Sequence, residues 1–201
     1  MSRHPWSESI HGAVVQETSL VQTTAPAVEP VDEKLVKDHL KITDQSQDQL
    51  LKIYIKAVRE MTELFLGRSL LKQVWDWAID GPPSGVINLP KAPLITVDLV
   101  QTFDLADAAT TFPAGNYVVD TDNSRFFLKT DFIWPVPLRS ERSVVVGFTS
   151  GYGTVPGDVP AVIRLAILKS VGHFWENREL EAKLPAEAMA MLTPFSWKNF
   201  L

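Results

Sequence analysis

The residue types that could do chemistry are few and poorly spaced for it. Four histidines occur: His4, His11, His39 and His173. His173 and Glu176 stand three apart in a stretch of helical periodicity, so one helix face carries both. That is half of a metal site or an acid–base pair, but no third or fourth ligand follows at a usable spacing. A polar pair at a helix end is the plainer reading. Asp120, Asp122 and Asp131 are spaced loosely like a calcium loop. Such a loop wants glycine at its sixth position and glutamate at its twelfth, where this chain has Arg125 and Asp131. A polar turn between two strands accounts for these aspartates. Asp104, Asp107, Asp120 and Asp122 all fall in ordinary turn chemistry, so no glycosidase-like pair stands out. The run Gly147-Phe148-Thr149-Ser150-Gly151-Tyr152-Gly153 lacks the Gly-Lys-Ser/Thr ending of a phosphate loop. It reads as a flexible bend that turns a strand into a helix. There is no G-x-S-x-G elbow. Cysteine is absent, which excludes disulfides, zinc–thiolate sites and cysteine nucleophiles.

Composition narrows the class further. The 201 residues are 45% hydrophobic and 21% charged, a globular balance that suits one domain with an appended arm. No run of about 18 apolar residues exists, so no membrane-spanning helix is expected. The first thirty residues contain no apolar block of signal-peptide length, which argues against Sec export. Nineteen Lys and Arg stand against 24 Asp and Glu, a formal charge of −5. A protein that grips duplex phosphates usually needs a basic face, so such gripping is disfavoured.

The elements that must position any site alternate in period along the chain. Residues 1–30 show no sustained period and read as a flexible N-terminal arm, although Val14-Val15 and Leu20-Val21 could add a strand to a partner's sheet edge. Residues 31–40 predict a short helix capped by Asp32. Residues 46–66 predict a long one, with Leu50, Ile53, Tyr54, Ala57, Val58, Met61, Leu64 and Phe65 at i, i+3, i+4 spacing. Asp44 or Ser46 is its expected N-cap and Gly67 its C-cap. Strands are expected at 71–79, 86–89, 94–103, 117–119, 126–128 and 143–149, with a polar loop at 104–114. Trp134-Pro135-Val136-Pro137 cannot sit in a central strand, because proline lacks the ladder donor. Residues 160–176 predict a helix with Asp158 as cap and Pro160 in the first turn. Its apolar residues run nearly all round, so it should be buried on more than one side. Residues 185–192 could add one or two helical turns. The expected fold is α+β: two N-terminal helices, a small antiparallel sheet with long loops, a buried C-terminal helix and an extended tail. The boundaries are 1–30 for the arm, 31–179 for the main domain and 180–201 for the tail.

Six tryptophans and ten phenylalanines are many for this length. Trp75, Trp77, Trp134 and Trp175 are expected in the core. Phe195, Trp197 and Phe200 follow Pro194 at a chain end. They either anchor in a partner's pocket or fold back on their own domain.

Three groups of residues together resemble the head–tail connector (adaptor) proteins of long-tailed bacteriophages and gene transfer agents. The first is Val36-Lys37-Asp38-His39-Leu40-Lys41-Ile42, a polar break, and a long helix closing on Thr62-Glu63-Leu64-Phe65-Leu66-Gly67-Arg68-Ser69-Leu70. The second is Ile87-Asn88-Leu89-Pro90-Lys91-Ala92-Pro93-Leu94. The third and strongest is Phe148-Thr149-Ser150-Gly151-Tyr152-Gly153, followed by Val155-Pro156, Val159-Pro160 and Gly172-His173-Phe174-Trp175-Glu176-Asn177-Arg178-Glu179. Order and spacing carry the resemblance over residues 31–192. Its structural marks are Gly67, Gly151, Tyr152, Gly153, Pro160, His173, Trp175 and Glu176.

The resemblance implies a function without catalysis, cofactor or metal. It implies a ring, usually of twelve copies, under the portal at the capsid vertex, which extends the DNA channel and docks the next neck or tail-completion protein. Implied partners are the portal protein, neighbouring copies and that neck protein. DNA would pass through without sequence-specific binding, and no membrane is involved. The implied location is the head–tail junction of the virion. The family's C-terminal segment commonly engages the portal, which points to Met191, Leu192, Pro194, Phe195, Trp197 and Phe200. Members tend to end in a Leu-Leu-x-x-Tyr-Arg-like motif, whereas this chain has Met191-Leu192-Thr193-Pro194-Phe195-Ser196. The competing readings are a cytoplasmic binding module with an aromatic C-terminal tail and a small enzyme using His173 and Glu176.

Overall fold

A computed structural model describes residues 18–178 and 183–197. Helix α1 (Glu33–Leu40) starts where Asp32 accepts a hydrogen bond from the Leu35 amide at 2.7 Å. Helix α2 spans Asp48–Leu66 and ends at Gly67, whose φ of 65° suits a residue without Cβ. Neither Asp44 nor Ser46 caps α2. The N-cap is Gln47, with no side-chain bond, because Asp44 turns back to accept from the amide and hydroxyl of Ser46.

Five antiparallel strands form one sheet in the order β1-β2-β8-β4-β5. They are β1 (Thr18–Thr24), β2 (Gln73–Ile79), β4 (Leu94–Phe103), β5 (Ala109–Thr111) and β8 (Val144–Ser150). A second sheet, ordered β3-β7-β6, is built from Val86–Asn88, Arg125–Leu128 and Tyr117–Asp120. Two of these strands correct the sequence reading. Thr18–Thr24 lies in the stretch assigned to a flexible arm, yet it pairs with β2 of its own chain, Leu20 opposite Trp77. The Leu20-Val21 alternation therefore completes this chain's own sheet edge. Ala109–Thr111, inside the expected polar loop, pairs with Gln101–Phe103 because β4 runs on past the sheet centre and offers it a ladder. The segment from Trp134 to Pro137 is outside every strand, as its prolines require.

Helix α3 (Ala161–Asn177) is packed by α1, α2 and α4 (Ala186–Leu192). Most of its apolar surface is thus used, with Ile163, Ala166, Ile167, Val171 and Phe174 buried, while Val162 and Leu165 stay exposed. Pro160 is its N-cap, and Asp158 instead closes the preceding turn on the Val155 amide. The region expected as an extended tail is helical at Ala186–Leu192 and closes in a 3-10 turn at Thr193–Phe195. Alanine, methionine and leucine there favour helix, and Ala188 and Leu192 are buried in it.

Two cores result. The helical one joins Leu51, Ile55, Val58, Leu66, Ile167 and Phe174. The sheet core joins Trp77, Val100, Phe112, Phe126, Trp134 and Phe148. Trp77 and Trp134 are buried as expected, whereas Trp75 and Trp175 are half-buried at the margins.

Candidate assembly surface

The glycines of the strongest motif sit at the joint between the two cores. Gly151 has a φ of 131°, and a Cβ there would overlap the Leu71 carbonyl. Its amide donates to Pro93 at 2.9 Å, the Tyr152 amide donates to Leu70 at 3.2 Å, and the Gly153 carbonyl accepts from Lys72 at 2.8 Å. A Cβ on Gly153 would strike the Asp158 carboxylate. The motif is therefore a close backbone crossing that ties the starts of β2, β4 and α3 together, where the sequence suggested a flexible bend. Tyr152 covers the helical core, and burial raises its phenol pKa, with Arg68 opposing the shift.

A buried ion network braces the same joint. Arg59 donates through Nε to Glu29 at 2.7 Å and through Nη1 to Glu63 at 2.6 Å. The second oxygen of Glu63 accepts from the Leu70 amide and from Gln73. One carboxylate on α2 thereby fixes the turn into β2, while Glu29 ties in the segment that follows β1. Burial raises the pKa of Glu29 despite the guanidinium beside it. Arg59 itself is raised. Burial opposes its charge, and the attraction of Glu63 and Glu29 overcomes it. The sequence reading missed this network. The i, i+4 spacing of Arg59 and Glu63 was its one local signal, and Glu29 is distant in sequence.

At the end of α2 the chain's last described residues fold back. The Trp197 amide donates to Leu66 at 2.8 Å, and Arg68 donates to the Phe195 carbonyl at 2.6 Å. The Arg68 guanidinium stands 5.1 Å over the Trp197 ring. Gly67 is required here by its φ of 65° and not by space, since a Cβ 3.5 Å from the Trp197 carbonyl would make an ordinary contact. Of the residues assigned to partner binding, Leu192 is core, Met191 and Phe195 pack half-buried against it, Pro194 is exposed and Trp197 is half-buried. Phe200 lies outside the described residues.

His173 and Glu176 do not form a pair. The bonds to His173 come from Asn177 one turn on, and Glu176 is exposed on the wall of an open groove of about 510 Å³. Lys169, which pairs with Glu187 at 3.4 Å, lines the same groove with His39. Trp175 meets the edge of Tyr54 with ring centres 5.9 Å apart. Among the described residues no group of three His, Asp or Glu side chains could hold a metal ion. Asp120 instead accepts from Asn123 and Arg125, which hold its carboxyl below the usual range and close the β6–β7 turn. No described helix is long and apolar enough to cross a membrane.

Comparisons with known proteins point the same way. Residues 34–103 match the model of the phage gp6-like head-tail connector protein family. The chain is similar to one from the neck of an empty gene transfer agent (GTA) particle computed with C6 symmetry. That likeness has a TM-score of 0.76 and 22% identity, and covers 91% of this chain and 97% of the other. A chain from the virion of a native GTA particle matches with a TM-score of 0.73 and 20% identity over 90% and 97% of the two chains. One from the neck of a native GTA particle computed with C12 symmetry gives 0.66 and 21% over 90% and 97%. No curated protein matches. The Gly151-Tyr152-Gly153 motif lies beyond the matched 34–103 stretch. The resemblance to head–tail connectors is thus borne out, by the family's pattern over residues 34–103 and by a fold shared with chains of gene transfer agent necks over nine-tenths of the length.

Proposed function

We propose that this chain is a structural head–tail connector of a phage or gene transfer agent particle. It acts at the head–tail junction and carries no catalysis. The observation that carries the reading is the match of nearly the whole fold, both cores included, to chains of GTA necks, joined to the connector-family match over α1 to β4. On this reading identical copies close into a ring through heterologous contacts. The ring, of twelve copies, sits under the portal protein, extends the DNA channel and offers its far face to the next neck or tail-completion protein. Twelve copies are compatible with the C12 symmetry of one similar neck and with the C6 symmetry of the other, of which twelve is a multiple.

Among the described residues the gathered polar groups, Arg59, Glu29 and Glu63, are spent on bracing the fold, which favours assembly over chemistry. A net charge of −5 suits a wall along which DNA slides, because an anionic surface does not hold phosphates. We assign the portal contact to the tail, through Pro194, Phe195, Trp197 and Phe200, with Met191 and Leu192 anchoring it to the domain. The Trp197 ring stands against the Arg68 guanidinium and needs no refolding to be met.

The test is to mix the full chain with the portal protein of the same particle and image the product by electron microscopy. A connector ring stacked on the portal is expected, and its loss on removing residues 194–201 is expected from the tail assignment. A ring that survives the truncation moves the portal contact elsewhere. Absence of any association with the full chain overturns the connector reading.

A further inference from the structure

Among the described residues the five-stranded sheet ends in two open edges, β1 on one side and β5 on the other. The β5 edge is built to take another strand. The Phe112 amide donates to Val100 at 2.8 Å and the Asp104 amide to Ala108 at 3.2 Å. The bonded pairs of this ladder are therefore Val100 with Phe112, Thr102 with Thr110 and Asp104 with Ala108. Ala109 and Thr111 fall between them, so their N–H and C=O groups point away from β4. The strand carries no charge and no proline, the usual guards of a free edge. Beside it lies an open apolar pocket of about 330 Å³, lined by Thr102, Thr110, Phe112, Ile133, Trp134 and Val136. Ile133 is 81% exposed and Val136 72%.

The place where the chain enters the sheet points to the occupant. Thr18 stands opposite Ile79, Ile79 opposite Val144, Val144 opposite Thr102 and Thr102 opposite Thr110. One row thus joins the first residue of β1 to the middle of β5. The stretch before Thr18 therefore enters at the pocket's end of the sheet, on the opposite edge. It reads Ala13-Val14-Val15-Gln16-Glu17. With Leu20-Val21 taken up in β1, its β-branched pair is the strand-forming pair left in this region. The β5 edge of its own sheet is out of reach. At about 4.8 Å per strand, a strand added outside β5 lies about 24 Å from β1. The three residues from Val15 to Thr18 span about 11 Å at most.

We infer that residues 13–16 of one copy add as a strand to the β5 edge of the next copy in the ring, an inference that rests on the connector reading. The β1 side of each copy then meets the β5 side of its neighbour, the two different faces that a closed ring needs. Pairing Ala13 and Val15 with Ala109 and Thr111 sets Val14 opposite Thr110, on the face that lines the pocket. A four-residue strand falls far short of the roughly 800 Å² that a self-standing interface takes from each partner. It latches copies that a portal has already lined up and does not join free ones.

The chain has no cysteine, so single thiols report single contacts. Chain with Val14→Cys or Val15→Cys, which together cover both registers of the added strand, is mixed with chain carrying Thr110→Cys. The mixture is assembled on the portal and oxidised. One of the two is expected to give a disulfide between copies, and the same mixture without portal none. Val155→Cys, also exposed, should give none in place of Thr110→Cys. Thr111→Pro removes an outward N–H and leaves the β4 ladder intact. It should lower the disulfide yield roughly fivefold, one hydrogen bond's worth, with the melting temperature unchanged. A complete ring without a disulfide to Thr110→Cys overturns this inference and leaves the connector reading standing. So does an equal yield with Val155→Cys, or closure within one chain when both cysteines are placed in it. No ring with the unmodified chain overturns both.

Discussion

At Gly151 the chain leaves β8 with a φ of 131° and passes against the backbone of Leu71 so closely that a Cβ would overlap it. Gly151→Ala adds an unfavourable left-handed φ to a clash that only backbone movement can relieve. It should cost about 3 kcal/mol or more, read from urea denaturation midpoints. A variant within 1 kcal/mol of the parent (the ordinary surface range is about 0.5) would refute the crossing as a fixed joint. Glu29 makes a second residue-scale case. Its pKa is raised in the fold because burial outweighs the pull of Arg59. A raised carboxyl binds its proton more tightly when folded. Its stabilising share is then present below the unfolded pKa and fades as pH rises through the folded value. Glu29→Gln should lack that decline. The stability difference between parent and variant, measured from about pH 4 to 7, should therefore move in the variant's favour as pH rises. A difference that stays flat, or moves the other way, would contradict the assignment.

The fourth helix shows how an element too short to stand alone is held. Seven residues cannot sustain a helix in water, and α4 persists because Ala188 and Leu192 enter the helical core beside α3. Leu192→Ala should therefore destabilise by about 2–5 kcal/mol. Trp197→Ala should cost far less, about 1 kcal/mol, since it removes a half-exposed stacking contact with Arg68. Thermal denaturation of the two variants checks the ranking. Portal binding should reverse it, with folded Trp197→Ala losing retention on the portal more than its small stability change explains. Equal retention for Trp197→Ala and parent would move the portal contact off the tail. Helix α2 is the opposite case. It is 19 residues long and sets Leu51, Ile55, Val58 and Leu66 in the core along its length.

On the scale of the whole molecule, the two cores are separate in composition but joined through backbone. The Gly151–Gly153 crossing and the Glu63 bonds to Leu70 and Gln73 bind the helical half to the sheet half. On the connector reading proposed above, such a joint would pass load between a portal-facing and a neck-facing surface. The ring on the portal tests this level.

The sequence by itself determined the α+β class, the long second helix and its Gly67 stop, the burial of most of α3 and the exclusion of strands at Trp134–Pro137. These follow from local rules: period, capping and the missing proline donor. The family resemblance was legible because it rests on motifs read in order along the chain. Only tertiary structure decided the rest. Thr18–Thr24 became a strand because β2 offered an open edge, and Ala109–Thr111 because β4 offered a ladder. Phe195 and Trp197 folded back because Leu66 and Arg68 supplied an acceptor and a donor far away in sequence. Glu29 met Arg59 across thirty residues. Pairings between distant segments depend on where the backbone brings them, and no local window of residue types contains that information.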